Sequence, residues 1–127
     1  MKPKFILIVD DSPKFIQSAV SFLTTDVNFP VVGWAMDANE GFEKIKTFNP
    51  DVVLMDIAMP GTNGLEATRK IKQLNNPPDV IMVSLYDTPE YRIEAELAGA
   101  DGFISKMEFA TSLFPTLNSM YVPTDKD

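Results

Sequence analysis

The sequence predicts a doubly wound three-layer α/β/α fold built around a five-stranded parallel sheet. Short apolar runs alternate with stretches of helical periodicity, at spacings of roughly two dozen residues that suit right-handed βαβ crossovers. The runs are apolar throughout, which is typical of strands covered by helices on both faces. Since 127 residues suffice for one core and no repeat interrupts the pattern, we expect one domain over residues 1–127.

The first strand and helix adjoin two acidic residues. Phe5–Val9 is a continuous apolar run rich in β-branched residues, and it ends at Asp10 and Asp11. Ser12 offers a side-chain oxygen that can cap a helix, and Pro13 fits the first helical position. The helical spacing of the apolar residues predicts a buried stripe made of Ile16, Ala19, Val20 and Leu23.

The second strand should lie at the edge of the sheet, and the helix after it begins with a capping pattern. We expect a strand within Phe29–Ala35, at the edge of the sheet because Pro30 cannot donate a hydrogen bond to a neighbouring strand. Asp37, with Glu40 three residues later, is typical of a capping box at the start of a helix. The inward residues of this helix should be Phe42, Ile45 and Phe48.

The third and fourth strands both end at groups that can do chemistry. Val52–Met55 is wholly apolar and ends at Asp56, where a loop rich in Pro and Gly begins. Val80–Val83 is similar and ends at the hydroxyl of Ser84. The helix between them should span Leu65–Leu74, and its inward residues should be Leu65, Ile71 and Leu74.

The last strand and two more helices complete the alternation. Thr88, followed by Pro, is a cap-and-start signal for a helix. The apolar residues that mark this helix are Ile93 and Leu97. A short strand, Gly102–Ser105, then ends at Lys106. The final helix, over residues 108–120, contains Pro115, which should kink or shorten it.

Composition excludes several classes of function. A formal net charge of −7 without a cluster of Lys and Arg should repel nucleic acid, so we expect no direct nucleic-acid binding. The chain has no apolar run of membrane-spanning length, no signal peptide and no Cys, so we expect no membrane contact and a cytoplasmic location. The absence of His excludes the usual zinc sites and His-activated nucleophiles. Chemistry here should depend on carboxylates, hydroxyls, lysines and a hard metal ion.

Polar residues that follow four of the strands should meet at one edge of the sheet, where open α/β sheets bind ligands. Carboxylates this close together need a cation, and oxygen ligands suit Mg²⁺, which combines one or two carboxylates with phosphate oxygens. Metal, ammonium and hydroxyl groups stabilise a phosphoryl group during transfer, and the carboxylate at the centre of the sheet is the best-placed nucleophile. The set is Asp10, Asp11, Asp56, Ser84 and Lys106.

The same residues, in this order and at these spacings, resemble the receiver domain of bacterial two-component response regulators. The likeness covers essentially the whole chain, and the ordered set is specific although each motif alone is weak. It implies the flavodoxin-like sheet order 2-1-3-4-5. The residues that carry it are Asp10-Asp11, Asp56 with Met59-Pro60-Gly61 and Asn63-Gly64, Ser84, and Phe103 three residues before Lys106.

The resemblance implies a role for each residue of the phosphorylation site. Asp56 would be the phosphoacceptor, and Lys106 would pair with the phosphoryl group. Mg²⁺, with Mn²⁺ as the alternative ion, would be held by Asp11, Asp56 and the backbone carbonyl of Ala58. Asp10 would complete the acidic pair from outside the set of direct ligands.

The resemblance also implies a switch and its partners. Ser84 would bond to the phosphoryl group, and Phe103, at a position where Tyr also occurs, would turn inward as Ser84 moves. The phosphodonor would be a sensor histidine kinase or a phosphotransfer protein. The face formed by the last two helices and last strand would act on an output protein or a C-terminal domain outside this sequence, or would support a phosphorylation-dependent homodimer. The runs Gly64–Arg69 and Ala98–Phe103 resemble receivers that drive helix-turn-helix DNA-binding domains, whereas Met107 stands where the family usually has Pro.

Three other functions fit parts of the pattern. A flavodoxin-like FMN carrier shares the fold, but Asp10 and Asp11 would repel the phosphate of the cofactor. An aspartate-dependent phosphohydrolase usually has a second Asp two residues after its nucleophile, where this chain has Ala58. A degenerate receiver that acts as a constitutive interaction module is the main alternative, and the intact acids, Ser84 and Lys106 argue against it. We therefore expect a regulator that catalyses its own phosphorylation from a phosphodonor, and not a turnover enzyme.

Overall fold

The protein, in a computed structural model that describes residues 1–59 and 61–122, forms one parallel sheet flanked by helices. In chain order the elements are β1 (Ile6–Val9), α1 (Pro13–Leu23), β2 (Val31–Ala35), α2 (Ala38–Phe48), β3 (Val52–Asp56), α3 (Gly64–Ile71), β4 (Asp79–Ser84), α4 (Pro89–Leu97), β5 (Gly102–Ser105), a short 3-10 helix (Lys106–Glu108) and α5 (Phe109–Tyr121). The strand order is β2-β1-β3-β4-β5, which confirms the predicted fold class. Pro60, part of the predicted loop motif, and residues 123–127 lie outside the described residues.

The two central strands are buried along their whole length because helices cover both faces of the sheet. Alternate residues of β1 divide between two cores: Ile6 and Ile8 face α1 and α5, while Leu7 and Val9 face α2, α3 and α4. Full burial of such a side chain stabilises the fold by about 1.5–3 kcal/mol. β2 lies at an edge of the sheet, as Pro30 predicted.

Side-chain caps begin four of the helices directly after the loops at the carboxyl edge of the sheet. Ser12, Asp37, Asn63 and Thr88 each accept a hydrogen bond from the backbone N–H three residues later, at 3.2, 2.8, 2.9 and 3.1 Å. Each cap contributes about 1 kcal/mol. The predicted caps at Ser12, Asp37 and Thr88 are therefore confirmed, and together the four caps fix where the loops around the strand ends stop.

Two residues were predicted to face the core from the second and third helices but are exposed, so these two predictions are wrong. Phe48 is 44% exposed at the end of α2, because its ring lies over Gly33 of the edge strand β2; a β-carbon on Gly33 would lie 3.3 Å from this ring. Leu74 is 39% exposed because α3 ends at Ile71, before Leu74 can reach the core.

α4 is attached to the core by little apolar surface. Ile93 and Leu97, which mark this helix in the sequence, are 56% and 74% exposed. The side that faces the sheet presents Ala95, which is the one buried residue within α4, and the partly buried Tyr91. The apolar periodicity of α4 therefore reports an exposed stripe and not the core-facing side.

Pro115 was predicted to kink or shorten the last helix. α5 continues through this proline over its 13 residues, so the shortening is wrong. Phe109, Leu113 and Leu117 anchor the opposite side of α5 in the core. Pro115 is exposed, so the backbone carbonyl one turn earlier that loses its partner can be hydrated. Among the described residues, no helix is both long and apolar enough to cross a membrane.

Candidate functional site

The carboxyl ends of the parallel strands surround a cavity of about 440 Å³. In the β1–β3 pair Val9 lies opposite Met55, so the residues that follow them, Asp10 and Asp56, emerge side by side. Ser84, at the end of β4, lies opposite Ser105, the residue before Lys106. The lining residues are Asp11, Ser12, Phe15, Asp56, Ala58, Ser84, Leu85, Tyr86 and Lys106. A larger groove of about 650 Å³, between α2 and α3, shares none of these lining residues.

Three carboxylates cluster at this edge of the sheet. Asp10, Asp11 and Asp56 each offer an oxygen, and the three oxygens lie within 4.8 Å of one another. Asp10 and Asp56 are 1% and 5% exposed, whereas Asp11 is exposed. Burial and, to a lesser extent, the nearby charge of Asp10 raise the pKa of Asp56 to about 6, although the Lys106 ammonium opposes this rise. A crowded set of oxygen donors fits a hard divalent cation such as Mg²⁺ or Mn²⁺.

The Lys106 ammonium lies between two of these acids. Its Nζ is 2.8 Å from Asp10 Oδ2 and 3.6 Å from Asp56 Oδ1. The buried Asp10 Oδ2 accepts no hydrogen bond from the described residues. Its contact with Lys106 is therefore an ion pair only. The other oxygen, Oδ1, accepts the Ser12 N–H at 2.9 Å, which holds the Asp10 carboxylate in place. The site thus contains a fixed anion with a cation beside it.

An aromatic ring supports Lys106, and sequence reasoning missed it. Lys106 Nζ lies 4.5 Å from the centroid of the Phe15 ring, a cation–π contact. Phe15 in turn meets Phe109 edge to face, with centroids 5.0 Å apart and rings inclined by 71°. The available signal was position: an aromatic residue in the first turn after the acidic pair must lie near the strand ends.

Gly64 packs directly against the backbone of Asp56, a role that its place in a turn motif did not reveal. A β-carbon at residue 64 would lie 1.9 Å from the carbonyl oxygen of Asp56. The Gly64 N–H donates to the Ile57 carbonyl at 2.8 Å, which draws the start of α3 against the end of β3. The absence of a side chain at residue 64 therefore allows the Asp56 backbone to lie this close to the start of α3.

The predicted switch residues lie on neighbouring strands with different surroundings. Ser84 is buried, and its Oγ accepts the Tyr86 N–H at 2.9 Å. Phe103 lies opposite Met82 in the β4–β5 pair, is half-buried and does not line the cavity. The guanidinium carbon of Arg92 lies 4.7 Å from the centroid of the Phe103 ring.

Ala58 and Met107 flank the site on its loops. Ala58 is exposed and lines the cavity, which is compatible with the predicted use of its backbone carbonyl as a metal ligand. Met107 lies in the short 3-10 helix, where its backbone N–H donates to Ser105 Oγ at 3.2 Å. Proline at residue 107 could not donate this bond, so Met107 gives the loop after Lys106 a hydrogen bond of its own.

The site geometry agrees with comparisons to known proteins. The family model of the response regulator receiver domain matches residues 6–117. The chain belongs to this family. This receiver is 35% identical to the transcriptional regulatory protein DegU of Brevibacillus brevis, over 85% of this chain and 46% of DegU. It is 34% identical to the chemotaxis protein CheY of Thermotoga maritima, over 92% of this chain and 97% of CheY.

A solved structure of a response regulator also resembles this receiver. The crystal structure of a LuxR-family two-component response regulator from Aurantimonas sp. has a TM-score of 0.87 at 27% identity, covering 94% of this chain and 85% of that chain. The receiver spans about half the length of DegU and nearly all of CheY.

Proposed function

We propose that this receiver is a phosphoacceptor switch in which Asp56 takes a phosphoryl group from a phosphohistidine. The observation that carries the proposal is the convergence of a buried central carboxylate, two further acids and one ammonium at a single cavity. Receiver domains are signalling regulators, and the chain matches the family model over residues 6–117. The chain would supply the catalytic groups for its own phosphorylation, and we propose that residues 1–127 act as one domain.

Phosphoryl transfer needs an ionised nucleophile and balanced charge. With a pKa of about 6, Asp56 is mainly ionised at neutral pH, and its oxygen attacks phosphorus as the phosphorus–nitrogen bond to the donor imidazole breaks. The electron pair of that bond returns to the imidazole nitrogen. Asp11, Asp56 and the Ala58 carbonyl would hold Mg²⁺ or Mn²⁺, which supplies positive charge for the phosphoryl oxygens. Lys106 supplies a second positive charge when it shifts from Asp10 towards the new anion.

The phosphorylated state would be read by Ser84 and Phe103. The Ser84 oxygen accepts the Tyr86 N–H, and within the described residues its hydroxyl proton has no acceptor, so this proton can be donated to a phosphoryl oxygen. Movement of Ser84 opens space for Phe103 to turn inward. The face of α4, β5 and α5 would then change its partner, which is an output protein, a C-terminal output domain or a second copy of this chain. A sensor histidine kinase or phosphotransfer protein would act as donor, in the cytoplasm.

Intact-protein mass spectrometry after incubation with acetyl phosphate tests the proposal. The protein should gain the mass of one phosphoryl group with Mg²⁺ present and no mass with a chelator. Asp56→Asn should gain nothing, and Asp11→Ala should need more Mg²⁺ to react. Glu90→Ala, which removes an exposed carboxylate at the start of α4, is the matched control and should react like the unmodified protein. A folded protein that binds Mg²⁺ but gains no mass would instead be a degenerate receiver that acts as an interaction module.

A further inference from the structure

Arg92 on α4 joins two parts of the switch that are far apart in sequence. Its Nε donates to Asp87 Oδ1 at 2.6 Å and Nη2 donates to Oδ2 at 3.0 Å, so the guanidinium holds the carboxylate through two parallel bonds. The same guanidinium covers the Phe103 ring, at 4.7 Å from its centroid. One side chain therefore contacts both the loop that follows Ser84 and the aromatic ring on β5.

The loop between β4 and α4 links this contact to the phosphorylation site. Ser84 Oγ accepts the Tyr86 N–H at 2.9 Å, and Asp87 is the next residue. Tyr86 also stacks on Tyr91, the neighbour of Arg92, with centroids 5.9 Å apart. Hydrogen bonding to Arg92 lowers the pKa of Asp87, so the pairing favours the charged carboxylate. Asp87 lies only three residues after Ser84, so a displacement of Ser84 can reach the Arg92 guanidinium through Asp87.

We propose that Arg92 is a positioning residue of the switch, a latch that ties the β4–α4 loop to the Phe103 ring and holds both in the resting arrangement. The proposal rests on the proposed function, since it concerns how that switch is released. Phe103 cannot turn inward without losing the guanidinium from its face. Movement of Ser84 towards a phosphoryl group on Asp56 draws Asp87 away from Arg92 and frees the ring. Loss of the latch should therefore favour the phosphorylated arrangement.

An exposed ion pair with no role in switching is the alternative. The Arg92 and Asp87 side chains are 50% and 33% exposed, and such pairs add little to stability. A weak contact suits a latch, because a strong one would prevent the switch from moving. Arg69 is a matched control: it pairs with Glu66 at 3.3 Å and lies 3.8 Å from Glu94 on α4. Arg69 and Arg92 are the two arginines of the chain.

Beryllofluoride, which binds a carboxylate as a stable analogue of the phosphoryl group, provides the test. Titrated in the presence of Mg²⁺ and followed by backbone amide NMR, it should bind Arg92→Gln and Asp87→Asn about two- to fivefold more tightly than the unmodified protein. The double variant should bind no more tightly than either single variant, because both substitutions remove one latch. Arg69→Gln removes the same charge and should leave the affinity unchanged. Equal affinities for Arg92→Gln and Arg69→Gln would overturn the proposal.

The Nε–H resonances of the two arginines provide a readout that a merely structural role would not move. In the resting protein, the bond to Asp87 should protect the Arg92 Nε–H from solvent exchange, and saturation with beryllofluoride should remove this protection while Arg69 is unaffected. Arg92→Lys keeps the charge but not the paired bonds, so its affinity should be intermediate. If amides around Asp56 respond but the Arg92 Nε–H does not, the latch is wrong and the proposed function stands. If nothing responds, the proposed function fails, and the latch fails with it.

Discussion

Asp10 holds the Lys106 ammonium beside Asp56, the proposed phosphoacceptor. Asp10 Oδ2 lies 2.8 Å from Lys106 Nζ, nearer than the Asp56 oxygen at 3.6 Å, and the Ser12 N–H fixes the other Asp10 oxygen. A phosphoryl group on Asp56 would bring a stronger anion to the ammonium. Lys106 therefore needs to change partners only, over a short distance, without entering the site from solvent.

Lys106→Met should destabilise the metal-free protein by about 2–4 kcal/mol, because it leaves the buried Asp10 carboxylate without a counter-charge. Mg²⁺ should restore much of this loss, since it neutralises the same acidic cluster. Urea denaturation at pH 7.5, with and without Mg²⁺, measures both effects. Lys72→Met removes a more exposed ion pair with Asp101, so it should cost less and show no added response to Mg²⁺. An equal Mg²⁺ response in both variants would contradict this interpretation.

The stability advantage of Asp56→Asn in metal-free protein should grow with pH. Folding raises the pKa of Asp56 from 3.8 to about 6, so the stability that its proton contributes is complete below pH 3.8 and lost as pH rises through 6. The loss is about 3 kcal/mol at pH 7.5 and about half that at pH 5. Asn cannot titrate, so the difference in unfolding free energy between the two proteins should change by about 1.5 kcal/mol between these pH values. Urea denaturation in chelator measures this change, and a constant difference would refute the pKa shift.

Gly64→Ala should lower both stability and the rate of phosphorylation. The new β-carbon would overlap the Asp56 carbonyl oxygen, so the backbone that carries Asp56 must move, at a cost of about 1–3 kcal/mol. Gly102→Ala is the control, because its β-carbon would meet only ordinary contacts, the nearest at 3.4 Å. Thermal unfolding and the rate of reaction with acetyl phosphate should separate the two variants. Similar behaviour would mean that the loop after Asp56 adapts freely.

Phe15→Leu should slow phosphorylation about two- to fivefold by removing the ring beneath the Lys106 ammonium. Leu preserves most of the apolar volume, so the change in stability should be moderate. Phe22→Leu is a matched control, because Phe22 also packs against Phe109 but makes no cation–π contact with Lys106. The rates are measured by quenching the reaction with acetyl phosphate, at saturating Mg²⁺, after a series of times. Equal rates for the two variants would show that the ring does not position Lys106.

Sequence predicted the fold and the strand-end residues because their signals are local. A run such as Val52–Met55 ends at a carboxylate within the same short segment, and the caps at Ser12 and Asp37 lie within three residues of the bonds they make. Parallel pairing then brings Asp10 beside Asp56 without further information from the sequence. These features depend on backbone direction and not on detailed packing.

Contacts between distant segments could not be predicted in the same way. The Phe15 ring meets Lys106 only because α1 and the end of β5 flank one cavity, and Arg92 meets Phe103 only because α4 lies over β5. Apolar periodicity was misleading at α4, where the small Ala95 approaches the sheet. A pattern of large apolar residues shows where a helix is amphipathic, but not which side another element covers.

The slight attachment of α4 has a consequence for the order in which the protein opens. This helix buries one residue within its bounds, whereas α1, α2 and α5 each bury three and α3 buries four. The free energy of local unfolding should therefore be smallest for α4, and its amides should exchange with deuterium well before those of the central strands. We therefore expect the helix that carries Arg92 to open and close locally while the strands that carry the acidic residues stay folded.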